Sequence, residues 1–495
     1  MSKKRARKAS GTARLTLGVD LGTSAIKVVA MNLDGAMMGE GSATFSTHSA
    51  LPQQAEQQPA DWLRAASGAM RALADDMTGS LGPDWTDHVA AIGLTGQLPT
   101  LVCLDEYTPL GAAITWKDGR ADAWASSRVD AASRTRMYAR TGMPIDGRYL
   151  APMLQFHFAG RLGQVRTLLS AKDYLLSELT GLRLTEPSTA AGYGIYDLQE
   201  RRFSEDLADF WALPRALLPR IHAANTLAGP LNPAGAGLLG LRAGLPVSTG
   251  AADSVCAAFA MAGLDERTVS ISFGSSAVVI GASAAPRLDT AARYLVTPHV
   301  IEDWYGREMD LLATGTGYRW LSDLFSWGMG DIDTQAAQSV PGAHGLFFPP
   351  YLAGGEQGAL WNPRLRGAVF GLNLRHSRAD IARSFLEGVF FEIKRCIEVL
   401  AETTPVESVM VCGNLVHSPS SMQMLADILH RPVGSVLDKS AAATGAALLA
   451  RRIAGLAFEP ARQRRSQPLT APDESTAQVY AALYPKYLAR AVQCE

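Results

Sequence analysis

Apolar positions along the chain fall into short β-branched runs separated by longer helical repeats. The first run, LTLGVD at residues 15–20, stops at a turn of Gly22, Thr23 and Ser24 before a second apolar run over residues 25–32, a pattern that predicts a hairpin. Apolar spacing of three and four predicts a helix over residues 60–77, and a run at 89–94 predicts a strand that enters the polar break Thr95, Gly96, Gln97. Helical spacing dominates residues 118–180. The stretch 227–244 is rich in Gly, Pro and Ala with few strand or helix signals, which predicts a domain boundary near residue 245.

Beyond that boundary the pattern restarts. TGAADSVCAAFAMAG is followed by VSISFGSSAVVIG, a strand, a turn of Gly274, Ser275 and Ser276, and a second strand. This echo of the N-terminal unit suggests an internal duplication. A helix over 378–401, a strand at 408–412, a helix near 420–429 and a small-residue helix over 441–454 complete the second half, so the chain reads as α/β throughout.

Composition narrows the picture. At 495 residues, 47% hydrophobic and 19% charged, the chain has material for two cores and is neither disordered nor a collagen-like or coiled-coil rod. Its 46 basic and 47 acidic side chains leave a formal charge of -1, so no summed field attracts nucleic acid or an anionic membrane, and an anionic ligand must be held locally. Cys103, Cys256, Cys396, Cys412 and Cys494 are scattered without a CxxC pair, which predicts reduced thiols and a cytoplasmic protein. No segment reads as a membrane span. Residues 1–14 are basic and read as a disordered tail; no helix-turn-helix pattern precedes Leu15, which argues against a DNA-binding regulator.

Two features carry chemistry. In DLGTSAIK at residues 20–27, backbone N–H groups and hydroxyls of the turn can face phosphate oxygens, while Asp20 at the strand end can organise a magnesium ion through water. An ordinary hairpin explains the glycine alone, but recurrence of the turn at residues 273–276 favours phosphate, because a nucleotide tail needs donors from two sides. Asp253 follows Gly250, Ala251 and Ala252 at the start of a helical run. Its carboxylate can take the proton of an attacking hydroxyl or cap the helix, and the residues alone leave both readings open.

With these pieces in order, the chain resembles the FGGY family of carbohydrate kinases and looks most like its xylulokinase branch. The matching segments are DLGTS at 20–24, GLTGQ at 93–97, WKDGR at 116–120, KDYLLSELTG at 172–181, GAADS at 250–254, FGSS at 273–276, FFPPYLAGGE at 347–356, LEGV at 386–389 and MLADIL at 424–429. The resemblance implies two actin-like ATPase (ribonuclease-H-like) domains around a central cleft, with residues 15–245 on the sugar side and 246–495 on the nucleotide side. It implies transfer of the ATP γ-phosphoryl group, with Mg2+, to a hydroxyl of a ketopentose or related polyol, and a homodimer as a common assembly. Asp253 would be the general base and Asp20 the metal organiser. Gly22, Thr23, Ser24, Gly274, Ser275, Ser276, Gly315, Gly413 and Asn414 would hold the nucleotide. Gln97, Leu98, Trp116, Asp118, Arg120, Asp253 and Ser254 would face the sugar, with core packing the competing role for Trp116 and an ion pair the competing role for Arg120.

Departures from the family pattern concentrate on the acceptor side. Leu98 and Pro99 replace a usual Met-His, Ser254 an Asn, Lys117 the Asn of WNDGR, and Gln357, Gly358 and Ala359 an Arg-Thr-Pro. They predict an acceptor different from xylulose. On the nucleotide side Asn414 and Leu415 stand where glycines are usual, which predicts altered adenine binding, because a Cβ there crowds a nucleotide. The competing hypothesis is a catalytically silent sugar-binding or regulatory protein on the same scaffold.

Overall fold

A computed structural model describes residues 15–328, 330–413, 417–436, 440–456 and 468–495. The N-terminal sheet runs in the order Leu227–Pro230, Pro246–Ser248, Val89–Gly96, Leu15–Leu21, Ala25–Met31, Met37–Thr44, and Ala251–Ala252 also pairs with Val89–Gly96. Leu15–Leu21 lies antiparallel to the strand that follows the turn and parallel to Val89–Gly96, with Asp20 opposite both Lys27 and Thr95. All seven of its residues are buried, as expected for a central strand covered on both faces.

The second sheet repeats this plan. Thr268–Phe273 pairs antiparallel with Ala277–Ser283 and parallel with the later strand Ser408–Gly413, within the order Leu295–Pro298, Tyr305–Leu311, Ala277–Ser283, Thr268–Phe273, Ser408–Gly413, Val433–Ser435. The duplication inferred from one short motif therefore extends to strand order and direction. A smaller four-stranded sheet of Glu56–Gln57, Ala113–Thr115, Thr100–Leu104 and Thr167–Leu169 is added to the first half.

The helix Ala441–Ile453 joins the halves. It lies against the N-terminal sheet so closely that a Cβ on Gly18 would stand 1.8 Å from the Ala443 carbonyl oxygen. The other side of this helix meets Asp253–Ala262, where a Cβ on Gly445 would fall 2.1 Å from the Cys256 carbonyl oxygen. The small-residue composition of both helices is thus a requirement of backbone-to-backbone approach between the two sheets.

Sequence patterning locates most elements, including the helix Arg378–Ala401, whose Ser377 and Asp380 form a capping box. It fails over 227–244, which holds the edge strand Leu227–Pro230 and the helix Pro233–Leu239. Asn232 caps that helix through the Gly235 N–H, so its start was marked, but seven residues with two glycines give no readable apolar stripe. The two short strands after residue 245 still pair within the N-terminal sheet. All five cysteines are buried free thiols. Among the described residues no helix is long and apolar enough to cross a membrane.

Candidate active site

Both Gly-hydroxyl turns sit at the ends of central strands. In the first, the Gly22 N–H donates to the Ala25 carbonyl at 3.1 Å, and the preceding Asp20 is buried. Asp20 Oδ2 accepts from the Ser440 hydroxyl at 3.2 Å, while Oδ1 is buried without a partner. Burial raises this carboxyl above its usual range, against the lowering effect of Lys27. In the second turn the Gly274 N–H donates to the Ser276 carbonyl at 2.8 Å. The helix Gly315–Phe325 starts against it: the Thr316 N–H donates to the Ser275 carbonyl at 3.1 Å, and a Cβ on Gly315 would lie 2.1 Å from the Gly274 carbonyl oxygen. Gly413 closes the same corner at φ +93, its α-carbon facing the Phe273 carbonyl too closely for any side chain. Asn414 and Leu415 lie outside the described residues.

Asp253 opens the helix Asp253–Ala262, yet the N-cap position belongs to Ala252 and no side chain caps the helix. Among the described residues the Asp253 carboxylate accepts only the neighbouring Ser254 N–H, at 2.9 Å, so helix capping does not explain it. Burial, then the nearby charge of Asp20, push it up to about 8. The turn that presents it is fastened from behind. Lys172, fully buried, donates to the Thr249 carbonyl at 3.0 Å and to Asp173 at 2.7 Å. The Ala252 N–H donates to the Ser188 hydroxyl at 2.9 Å, and Glu186 accepts from Ser188 and Thr189. Lys172, Glu186 and Ser188 are positioning residues that sequence reading did not single out, although KDYL was the visible signal.

A cleft opens beside Ser254. Leu98, Pro99 and Trp116 line one side, and Glu308 and Asp310 from the strand Tyr305–Leu311 line another. The Trp116 indole N–H donates to the Thr23 hydroxyl at 3.2 Å, tying the acceptor wall to the first phosphate turn. Ser254 donates to Glu308 at 3.2 Å and Thr297 donates to the same carboxyl oxygen at 2.9 Å. Arg148, Glu308 and Asp310 were missed as site residues, because they come from separate segments, whereas Gln357, one of the acceptor-side departures, does line the cleft.

Three of the expected acceptor residues stand behind the wall and not on it. Gln97 is buried and donates to Gln57 at 2.8 Å, which in turn donates to the Thr23 carbonyl, leaving Gln97 Oε1 unpartnered. Asp118 accepts from the Ala55 N–H and from Arg120, whose guanidinium also reaches Glu56 at 2.5 Å. Asp118 and Arg120 thus form a local ion-pair network, the second of the two roles weighed for Arg120; with residues only two apart in a loop, the pair closes on itself.

Comparison with known proteins agrees with this fold. Residues 15–260 match the N-terminal domain of the FGGY family of carbohydrate kinases, and residues 269–454 match its C-terminal domain. A xylulose kinase of Escherichia coli is 28% identical over 483 residues, covering 95% of this chain and 96% of its own. A gluconokinase of Bacillus licheniformis is 25% identical over 505 residues, covering 97% and 96%. Among solved structures, the xylulose kinase from Rhodospirillum rubrum has a TM-score of 0.85 at 28% identity, covering 97% of this chain and 99% of its own. The gluconate kinase from Lactobacillus acidophilus has a TM-score of 0.87 at 22% identity over 97% of each chain, a likeness of fold alone.

Proposed function

The chain belongs to the FGGY family of carbohydrate kinases, and from that membership we propose that it transfers the γ-phosphoryl group of ATP to a hydroxyl of a ketopentose or related polyol with Asp253 as the general base. The observation that carries this reading is Asp253 itself: a carboxyl raised by burial and by Asp20, uncommitted to its helix, and adjacent to the residue that lines the cleft. Such a group takes a proton from a hydroxyl as the hydroxyl becomes nucleophilic. On this reading residues 15–245 carry the sugar side and 246–495 the nucleotide side, and the acceptor cleft takes lining residues from both, Leu98, Pro99 and Trp116 from the first and Ser254, Glu308 and Asp310 from the second.

The paired turns at Gly22–Ser24 and Gly274–Ser276, each closing a hairpin on the central strand of its sheet, fit a nucleotide tail that takes donors from two sides. Asp20, with one buried carboxyl oxygen lacking a partner, fits a magnesium ion held through water. When bound, Mg2+ neutralises charge on the phosphates. The chain's own residues hold the acceptor in the cleft, keep the Asp253 carboxylate at its edge through Lys172 and Ser188, and take up the hydroxyl proton on Asp253. Five buried free thiols support a cytoplasmic setting.

The silent alternative rests on Leu98 and Pro99, which line the cleft, and on Asn414 and Leu415 outside the described residues. The carboxylates and turns that transfer requires argue against it. ADP release measured over ketopentoses and polyols tests the proposal. Asp253→Asn is expected to lower kcat by about 10²–10⁴-fold while nucleotide binding persists. Turnover independent of Asp253 would overturn the assignment.

A further inference from the structure

The acceptor cleft has an unbalanced charge inventory. Among the described residues its lining holds three carboxyl side chains, Asp146, Glu308 and Asp310, and one cation, Arg148. That guanidinium is already engaged. Its Nε and Nη2 donate to Asp146, and with the Gln357 amide turned to satisfy both ends, Nη1 and Nη2 donate to the Gln357 oxygen at 2.8 and 2.5 Å. Little donor capacity is left for an anionic ligand.

The carboxyls, by contrast, have capacity to spare. Glu308 and Asp310 alternate on the strand Tyr305–Leu311 and so share one face, while Arg307 before them and Met309 between them are buried on the other. Glu308 is only 7% exposed, and its Oε2 takes the Ser254 and Thr297 hydroxyls. Its second oxygen has no hydrogen-bond partner among the described residues. Asp310 Oδ1 is likewise buried without a partner. Burial holds both groups above the usual carboxylate range, and Asp310 adds to the effect on Glu308. A carboxylate brought in by a ligand would meet the same burial and the same neighbours, whereas hydroxyl groups would donate to the free oxygens.

We propose that Glu308 and Asp310 are specificity-determining residues that accept hydroxyl donors from an uncharged polyol and exclude aldonates. The inference rests on the kinase reading of the cleft and divides the two kinds of activity named among the relatives. Discrimination comes from desolvation, because an aldonate carboxylate would be buried among acceptor oxygens where the one cation of the described lining, Arg148, is already engaged, a cost that a neutral hydroxyl does not meet.

The test compares D-xylulose, xylitol and D-gluconate with the full-length protein, by kcat/KM with MgATP and by calorimetric titration of each compound without nucleotide. A neutral compound should exceed D-gluconate by at least about 100-fold. Glu308→Gln and Asp310→Asn keep shape and replace an acceptor oxygen with an amide donor, and each should narrow that ratio by about tenfold while MgATP affinity and melting temperature stay at wild-type values. D-gluconate used or bound as well as the neutral compounds, a ratio unmoved in both variants, or no binding of any of the three would overturn the inference. Selective binding of a neutral compound without phosphorylation would instead overturn the kinase reading and leave the selectivity standing.

Discussion

Gly315→Ala places the smallest possible side chain at the junction of the second phosphate turn and the helix Gly315–Phe325. The added Cβ would lie 2.1 Å from the Gly274 carbonyl oxygen, 3.1 Å from the Gly274 carbonyl carbon and 3.4 Å from the Ser275 α-carbon. Cβ atoms do not approach other heavy atoms closer than 3.0 Å, and both sides of this contact are backbone, so no rotamer change relieves it. The helix start and the turn have to part by about 0.9 Å, and a misplacement of about 1 Å costs about 10²-fold in rate when it separates groups that must be aligned. We expect kcat/KM for MgATP to fall about 100-fold, with the KM for the sugar little changed, since the acceptor wall is built from other segments. Gly237→Ala is the control: it lies in the helix Pro233–Leu239 with no atom within 4 Å of the new Cβ, and should be neutral or stabilise by about 0.4–1 kcal/mol. Steady-state kinetics, MgATP calorimetry and thermal melts of both variants decide the matter. If Gly315→Ala binds and uses MgATP as Gly237→Ala does, the second turn does not meet the nucleotide.

Two further outcomes follow from groups around Asp253. A base is active when ionised, and a folded carboxyl pushed up to about 8 keeps its proton below that pH, so kcat/KM for the sugar should climb with pH and reach half its plateau near about 8. Asp20→Asn removes a charge that opposes ionisation and should move the limb to lower pH; a flat profile from about pH 6 to about pH 9 in the wild type would refute the assignment of the base. Lys172→Met leaves Asp173 and Glu186 without their buried cation and should destabilise the fold by about 3–5 kcal/mol, read as a lowered melting temperature. An unchanged melt would show that Lys172 does not hold the Thr249 turn.

The parts of this protein that were legible in the sequence are those whose physical requirement is met within a few consecutive residues. A strand that ends in Gly-Thr-Ser, or in Gly-Ser-Ser, announces its own turn, and its repetition announced the second half of the fold. Asp253 was singled out from a signal of the same local kind, a carboxylate that follows a run of small residues at the start of a helix. The acceptor wall obeys a different rule. Arg148 and Gln357 are more than two hundred residues apart, and no local spacing relates them. Glu308 and Asp310 did leave a trace, two acids at alternate positions of YGREMDL, but alternation alone reads equally well as a solvent-facing edge. What separates the readings is Arg307, which points away from the cleft, is buried, and donates to the Leu400 carbonyl at 3.0 Å, so both faces of the strand are covered. Acids on the second face of such a strand need donors. Neighbouring hydroxyls supply only part of them among the described residues, and the remaining acceptor oxygens are those to which we assign the choice of an uncharged polyol.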